Sequence, residues 1–381
     1  MKINSSRKVV EEILSRADVQ IDGSRPWDIQ VKNYLFYKKI LRAGLMGLGE
    51  SYVDGWWECE SIDEMVVKLI RARLLENLKK DLKVIFLALT AKIFNEGRRS
   101  KSSEIVKRHY DLGNEFFECM LDKRMTYSCA FWDGARTLDE AQEAKLELVC
   151  QKIGLKPGMK VLDIGCGWGS FLQYAAEKYG IEGMGLTISP EQFKYAQKAC
   201  AGLPVEIRLQ DYRDLKGDFD RIVAIEVMEH VGYKNYRQFM KKVSQCLRED
   251  GLFFLHTMGF NRSTISGLEQ EPWLFRYIAP NCMVPSLKQI SDSVEGLFVI
   301  EDVHNIGAHY DKTGMAWYEN LTRNWSKIKS KYDERFYRMW KYCWLIGAGC
   351  CRARHVQAWQ IVLTKNGLLG GYNALRDRLQ K

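Results

Sequence analysis

The stretch KVLDIGCGWGS, residues 160–170, decides the fold. Val161–Ile164 is an apolar run of strand length, and it leads directly into Gly165, Gly167 and Gly169. A helix is expected over 171–179. Glycines at a strand-to-helix turn let the backbone approach a ligand closely, and the helix start presents N–H groups to it. The alternation continues downstream. Strands are expected over 182–186, 205–209, 221–224 and 251–256, with helices over 191–199 and 235–246. Strands alternating with helices predict a parallel α/β sheet.

A glycine-rich turn alone is weak, because dinucleotide enzymes place G-x-G-x-x-G at the same point. Here the third glycine comes one residue too early for that pattern. With Asp163 on the preceding strand, D-x-G-x-G-x-G resembles the first motif of S-adenosylmethionine-dependent methyltransferases. Strand 182–186 runs into Thr187, Ile188, Ser189 and Gln192, where ribose and methionine contacts are expected. Thr187 stands where a generic member has an acid. The third strand runs into QDYRD, residues 210–214. Asp211 can accept from an adenine amine, and Tyr212 can stack on the ring.

Working outward, the 381 residues allow two or three domains. Residues 1–94 read as a small helical domain, 95–104 (NEGRRSKSSE) as a linker and 105–381 as one larger unit. Within 74–94, Leu75, Leu78, Leu82, Ile85, Phe86, Leu89 and Ile93 form one apolar stripe flanked by Lys79, Lys80, Lys83 and Lys92. A basic amphipathic helix of this kind suits the lipid headgroup layer, although packing on its own domain is the commoner use. The adjacent pair Trp56 and Trp57 reads as core.

Composition narrows the classes further. Apolar residues make up 46% and charged residues 28%, as in globular chains. The formal charge of +9 suits an anionic membrane surface or a nucleic acid. No RNA-binding module is recognisable, so nucleic acid is not expected. The eleven cysteines are odd in number and irregularly spaced, which fits reduced thiols in a cytoplasmic protein. No CxxC pair occurs, so no metal site is expected. No signal peptide is evident at the N-terminus. The longest apolar run without glycine, Val84–Leu89, falls far short of the roughly 20 residues that span a bilayer.

Four further segments are polar in ways that packing does not explain: HYDLGNEFF (109–117) leading to MTYSCAFW (125–132), VMEHVG (227–232), FLHTMG (254–259) and GAHYDKT (307–313). In an open α/β sheet, ligands bind at the carboxyl ends of strands. Taken in order with LDIGCGWG, LTIS, LQDYRD and the N-terminal GLGESYVDGWWEC, these strings resemble the cyclopropane-fatty-acyl-phospholipid synthase family. The resemblance covers most of the chain.

That resemblance implies a Rossmann-like class I methyltransferase sheet with a small helical N-terminal domain. It implies methyl transfer from S-adenosylmethionine to a cis double bond of a phospholipid acyl chain, followed by ring closure. It implies a bound bicarbonate as general base, held by Cys129, Glu229, His256, Tyr310 and the backbone at Met258. Cofactor contacts carried over are Tyr127, Ser128, Gly165, Gly167, Thr187, Ile188, Gln192, Tyr212 and Arg213, beside Asp163 and Asp211 from the motif reading. Phe131, Trp132 and Phe254 join Tyr127 and Tyr310 as aromatic candidates to face a carbocation. Glu229 is expected to hold the bicarbonate proton or to orient His256. The implied partners are an unsaturated membrane phospholipid, an anionic inner-membrane surface and a second copy of the chain as a homodimer. Some members carry a cysteine in the C-terminal helix where Gly347 stands here, so Cys350 and Cys351 read as core. Rival readings are a methyl-branched product, a soluble or RNA substrate, and a lipid-binding scaffold without catalysis. The set Cys129, Glu229, His256 and Tyr310 argues against the scaffold.

Overall fold

The computed structural model describes residues 3–74 and 112–375. The expected amphipathic helix beyond Leu74, the linker at 95–104 and the start of HYDLGN lie outside the described residues. The chain divides into two compact units. One comprises Met1–Leu112, Gly267–Pro280 and Gly314–His355; the other comprises Gly113–Ser266, Asn281–Thr313 and Val356–Lys381. This differs from a contiguous 105–381 unit, since two later segments pack with the N-terminal one.

The helical unit shows why. Its described N-terminal helices are Ile3–Ser15, Leu35–Val53 and Ile62–Arg71, with a short antiparallel pair, β1 (Gln30–Val31) and β2 (Trp57–Glu58). Trp57 is fully buried, and its indole N–H donates to the Leu48 carbonyl and to Ser51 Oγ, each at 3.1 Å. Tyr52 stacks on Tyr342 at 5.2 Å, and Trp273 meets the same ring edge-on at 4.7 Å. A Cβ at Gly49 would fall 2.4 Å from the Trp273 ring, so this helix needs glycine there. Aromatic residues more than 200 positions apart in sequence thus build one core, which no local pattern announces.

The second unit carries a seven-stranded sheet in the order β5-β4-β3-β6-β7-β9-β8. The strands are β3 (Lys160–Ile164), β4 (Glu182–Thr187), β5 (Val205–Leu209), β6 (Phe219–Ile225), β7 (Leu247–Phe260), β8 (Val299–Asn305) and β9 (Val356–Thr364). From β5 to β7 all pairs are parallel, and β9 runs antiparallel between β7 and β8. Side chains alternate between two apolar cores. Leu162, Ile164, Ile222, Phe253 and Leu255 face one; Val161, Val223, Leu252 and Phe254 face the other, with Leu146, Val149 and Phe171. By the same period of two, Asp163 and His256 fall on the second face, under the helix Leu138–Lys152. The order in which successive parallel strands are added reverses between β3 and β6, and the crevice beyond the strand ends at such a point is where ligands bind.

Candidate active site

The turn after β3 has the expected form. Gly165, Gly167 and Gly169 all lie at positive φ (77°, 55° and 88°), a region other residues enter only with strain. The N–H groups of Gly165 and Cys166 donate to the Leu186 carbonyl, which locks the turn against β4. Gly169 then starts the helix Ser170–Tyr179. Asp163 is 2% exposed, and its Oδ1 has no hydrogen-bond partner. Burial pushes its carboxyl up to about 7, against the pull of Lys145. A buried acceptor without a partner, two residues before the glycine turn, fits a polar ligand with donors to offer.

The other expected cofactor residues gather at the ends of β4 and β5. Thr187 Oγ1 donates to Gln192 Oε1 at 2.9 Å and accepts from the Ser189 N–H. Ser189 caps the helix Pro190–Ala199, and Ile188 stands 77% exposed at the rim. Asp211 is spanned by the Arg213 guanidinium at 2.8 and 2.9 Å, and it caps the Arg213 N–H. Asp211 Oδ1 therefore already accepts twice from this chain's own arginine, and only Oδ2, which accepts once, keeps a lone pair for an adenine amine. Tyr212 is half-buried, edge-on to Phe239 at 5.1 Å. Tyr127 packs through Phe117, which in turn contacts Trp168 of the glycine turn at 4.8 Å.

The YSCAFW loop is held from two sides. Gln142, on the helix Leu138–Lys152, donates to the Thr126 and Ser128 carbonyls. From the start of the helix Ala308–Ile328, Thr313 Oγ1 accepts from the Ala130 N–H and the Trp132 indole, while His309 Nδ1 accepts from the Trp132 N–H. The polar letters of AHYDKT are thus largely a clamp on this loop. Phe131 packs against His309 at 4.7 Å. Phe254 belongs to the sheet core, which removes it from the candidates to face a cation.

The catalytic candidates meet where β6 and β7 end, around a residue the sequence reading did not single out. Glu226 Oε1 accepts from the Cys129 N–H at 2.9 Å. Its Oε2 accepts from the Tyr310 hydroxyl at 2.7 Å. His256 Nε2 lies 3.7 Å from Oε1. Glu229 Oε1 accepts from the Thr257 hydroxyl at 3.0 Å and from the Met258 N–H; its Oε2 is buried without a partner. Both ring nitrogens of the fully buried His256 lack hydrogen-bond partners, so Glu229 does not orient His256 as expected. Burial and the Lys145 and Lys152 charges push His256 well below the usual histidine range, so it is neutral.

Burial raises Glu226, while the Cys129 N–H, Tyr310 and Lys145 oppose that rise. Burial and the Glu226 charge raise Glu229. Lys145 was also missed. It is 1% exposed, donates to Ser128 Oγ at 2.8 Å, and is pushed down by burial against Glu226, Asp122 and Asp163. A lysine sharing a buried helical stripe with Leu138, Gln142 and Val149 was the available signal.

The donors expected to hold bicarbonate are engaged by carboxyl groups of the chain. Cys129 N–H and Tyr310 meet Glu226, and Met258 N–H meets Glu229. A further anion here would have to displace these carboxyl groups from their donors. Bicarbonate does not fit this arrangement, which corrects that expectation. The cysteines of LIGAGCCRARH offer no alternative: none of the eleven cysteines, all among the described residues, is in a disulfide, and burial holds the Cys350 thiol well above its ordinary range.

Residues 97–361 match the family model described as mycolic acid cyclopropane synthetase. The chain is 48% identical over 364 residues to cyclopropane-fatty-acyl-phospholipid synthase of Escherichia coli (strain K12), covering 95% of this chain and 94% of that protein. It is 35% identical to sphingolipid C9-methyltransferase A of Emericella nidulans, over 70% of this chain and 54% of that one. Among solved structures, a mycolic acid cyclopropane synthase complexed with SAH and CTAB is similar at 29% identity, with a TM-score of 0.63 over 70% of this chain and 99% of its own. A coclaurine N-methyltransferase, at 21% identity and a TM-score of 0.68 over 85% of this chain and 99% of its own, shares the fold. The turn, the strand order, the polar cluster and these likenesses converge: the chain belongs to the mycolic acid cyclopropane synthetase family of methyltransferases.

Proposed function

We propose that this enzyme transfers the methyl group of S-adenosylmethionine to the cis double bond of an unsaturated phospholipid acyl chain and closes a cyclopropane ring. The likeness to the Escherichia coli synthase over nearly the whole of both chains carries the reading. The related structure with SAH, which is the demethylated donor, and CTAB, which has one long alkyl chain, supports both halves of it.

In this reading the glycine turn, Asp163, Thr187, Gln192 and the Tyr212 ring hold the donor, whose sulfonium supplies an electrophilic methyl. An alkene is a weak nucleophile, so positioning and exclusion of water matter most. Attack leaves a cation on the acyl chain, which Tyr127 and Tyr310 can face without reacting. Ring closure then requires loss of a proton from the new methyl group. The polar cluster is buried, so charges there act strongly on that step.

The enzyme reaches its substrate by docking on an anionic bilayer, drawn by the excess of basic residues. Among the described residues no helix is long and apolar enough to cross a membrane. The test is incubation with methyl-labelled S-adenosylmethionine and vesicles of unsaturated phospholipid. Label in the acyl chain is expected. Label only in the headgroup, or none where a soluble amine or RNA accepts it, would overturn the reading.

A further inference from the structure

We propose that Glu226 is the general base of the reaction, with its own carboxylate at the position expected for bicarbonate, so that the enzyme works without that ion. The inference rests on the ring-closing reading above.

Geometry carries it. Glu226 takes the Cys129 N–H with one oxygen and the Tyr310 hydroxyl with the other, at 2.9 and 2.7 Å, with His256 Nε2 3.7 Å away. These are three of the groups expected to surround a small oxyanion. Each carboxylate oxygen keeps a second lone pair, so the group can still accept a proton.

Reachability separates the two acids. Glu226 is partly exposed, whereas Glu229 is buried and has one oxygen committed to the Thr257 hydroxyl and the Met258 N–H. A base must touch the hydrogen it removes.

The backbone adds an independent sign. Glu226 has φ 54°, in the left-handed region that non-glycine residues avoid, and its N–H donates to the His256 carbonyl at 2.7 Å. Strain of this kind persists where the surroundings impose it, and it concentrates at functional sites. The environment also divides the pair. Burial raises both carboxyls, but at Glu226 the N–H, the hydroxyl and the Lys145 charge oppose that rise, while at Glu229 the neighbouring negative charge adds to it.

The step balances within the chain and its substrates. The alkene π pair forms the bond to the methyl carbon, and the S–CH3 pair leaves with sulfur. One C–H bond of the new methyl then breaks. Its electron pair closes the ring onto the cationic carbon, and its proton passes to Glu226. The Nε2 of neutral His256 lies 3.7 Å from the Glu226 oxygen on that side.

The test compares the wild type, E226Q and E226G in buffer freed of carbon dioxide and in the same buffer with added bicarbonate. Glycine suits the backbone at φ 54°, so E226G removes the carboxylate and the strain together. Binding of S-adenosylmethionine checks that each variant is folded. The wild type should keep its turnover without bicarbonate, and E226Q should lose on the order of 100-fold in both buffers. E226G should be equally impaired without bicarbonate and regain turnover with it. A wild type that stops in depleted buffer and recovers with bicarbonate overturns the proposal, as does an E226Q of near-normal rate. E226G that binds the donor yet is not rescued contradicts the assignment of an anion position. A wild type that makes no ring in either buffer points instead to failure of the functional reading.

Discussion

The Tyr310 hydroxyl donates to Glu226 Oε2 at 2.7 Å and so ties the first turn of the helix Ala308–Ile328 to the end of β6. This bond favours the ionised carboxylate, as do the Cys129 N–H and Lys145. Other titratable groups beside Glu226 are neutral His256 and Glu229. Tyr310→Phe should therefore raise the Glu226 carboxyl further. Turnover needs the ionised base, so the acid limb of its pH profile should move to higher pH. At neutrality the loss should be about tenfold or more, recovering as pH rises. An unshifted limb with a uniform loss would mean that Tyr310 acts only by packing.

Glu229 accepts from Thr257 and Met258 at a buried point. Glu229→Ala should leave the buried Met258 N–H unpaired, while the Thr257 hydroxyl keeps the Met258 carbonyl, and cost about 1–3 kcal/mol of stability. Glu229→Gln retains an acceptor oxygen and should cost less than half of that. Urea denaturation of the two variants checks it; equal losses would contradict the assigned contacts.

The buried Asp163 carboxyl stands at about 7 against an ordinary 3.8. Between those values the folded state holds a proton that the unfolded chain has released. Stability from this group is therefore greatest at low pH and falls as pH rises through the window. The swing amounts to about 4 kcal/mol. Asp163→Asn should flatten that slope in denaturant titrations without ligand, and weaken binding of S-adenosylmethionine. A slope equal to that of the wild type would show that Asp163 is ionised throughout.

Much of this was legible in the residues. The glycine turn and the alternation of apolar runs predicted five strands of the sheet, because a strand buried on both faces has a local signature. The antiparallel β9 was not anticipated, since a reversed strand inserted between β7 and β8 depends on a partner about 100 residues earlier. The motifs placed Glu229, His256 and Tyr310 together because each lies on or just after a strand, and Cys129, on a loop between two helices, joined them only through the resemblance. They did not show which group holds which. Glu226 sits three residues before Glu229 and reads as the tail of an apolar strand; only the fold turns it toward Cys129 and Tyr310. Lys145 and Gln142 were hidden for a related reason, being polar residues whose partners lie on a distant loop.

Lys79, Lys80 and Lys83 lie outside the described residues, but their placement beside an apolar stripe gives a test on the whole enzyme. Reversing all three charges should weaken binding to anionic vesicles, each basic group being worth about 1 kcal/mol near such a surface. Binding to neutral vesicles should change little. Unchanged binding to anionic vesicles in a sedimentation assay would remove this segment from the docking account.

The most direct test of ring closure uses S-adenosylmethionine with a fully deuterated methyl group and unsaturated phospholipid vesicles, followed by mass and NMR analysis of the acyl chains. Closure through loss of a proton from the new methyl predicts a cyclopropane carbon bearing two deuterons, with the third lost. An acyl chain that keeps all three deuterons on an intact methyl branch would contradict it.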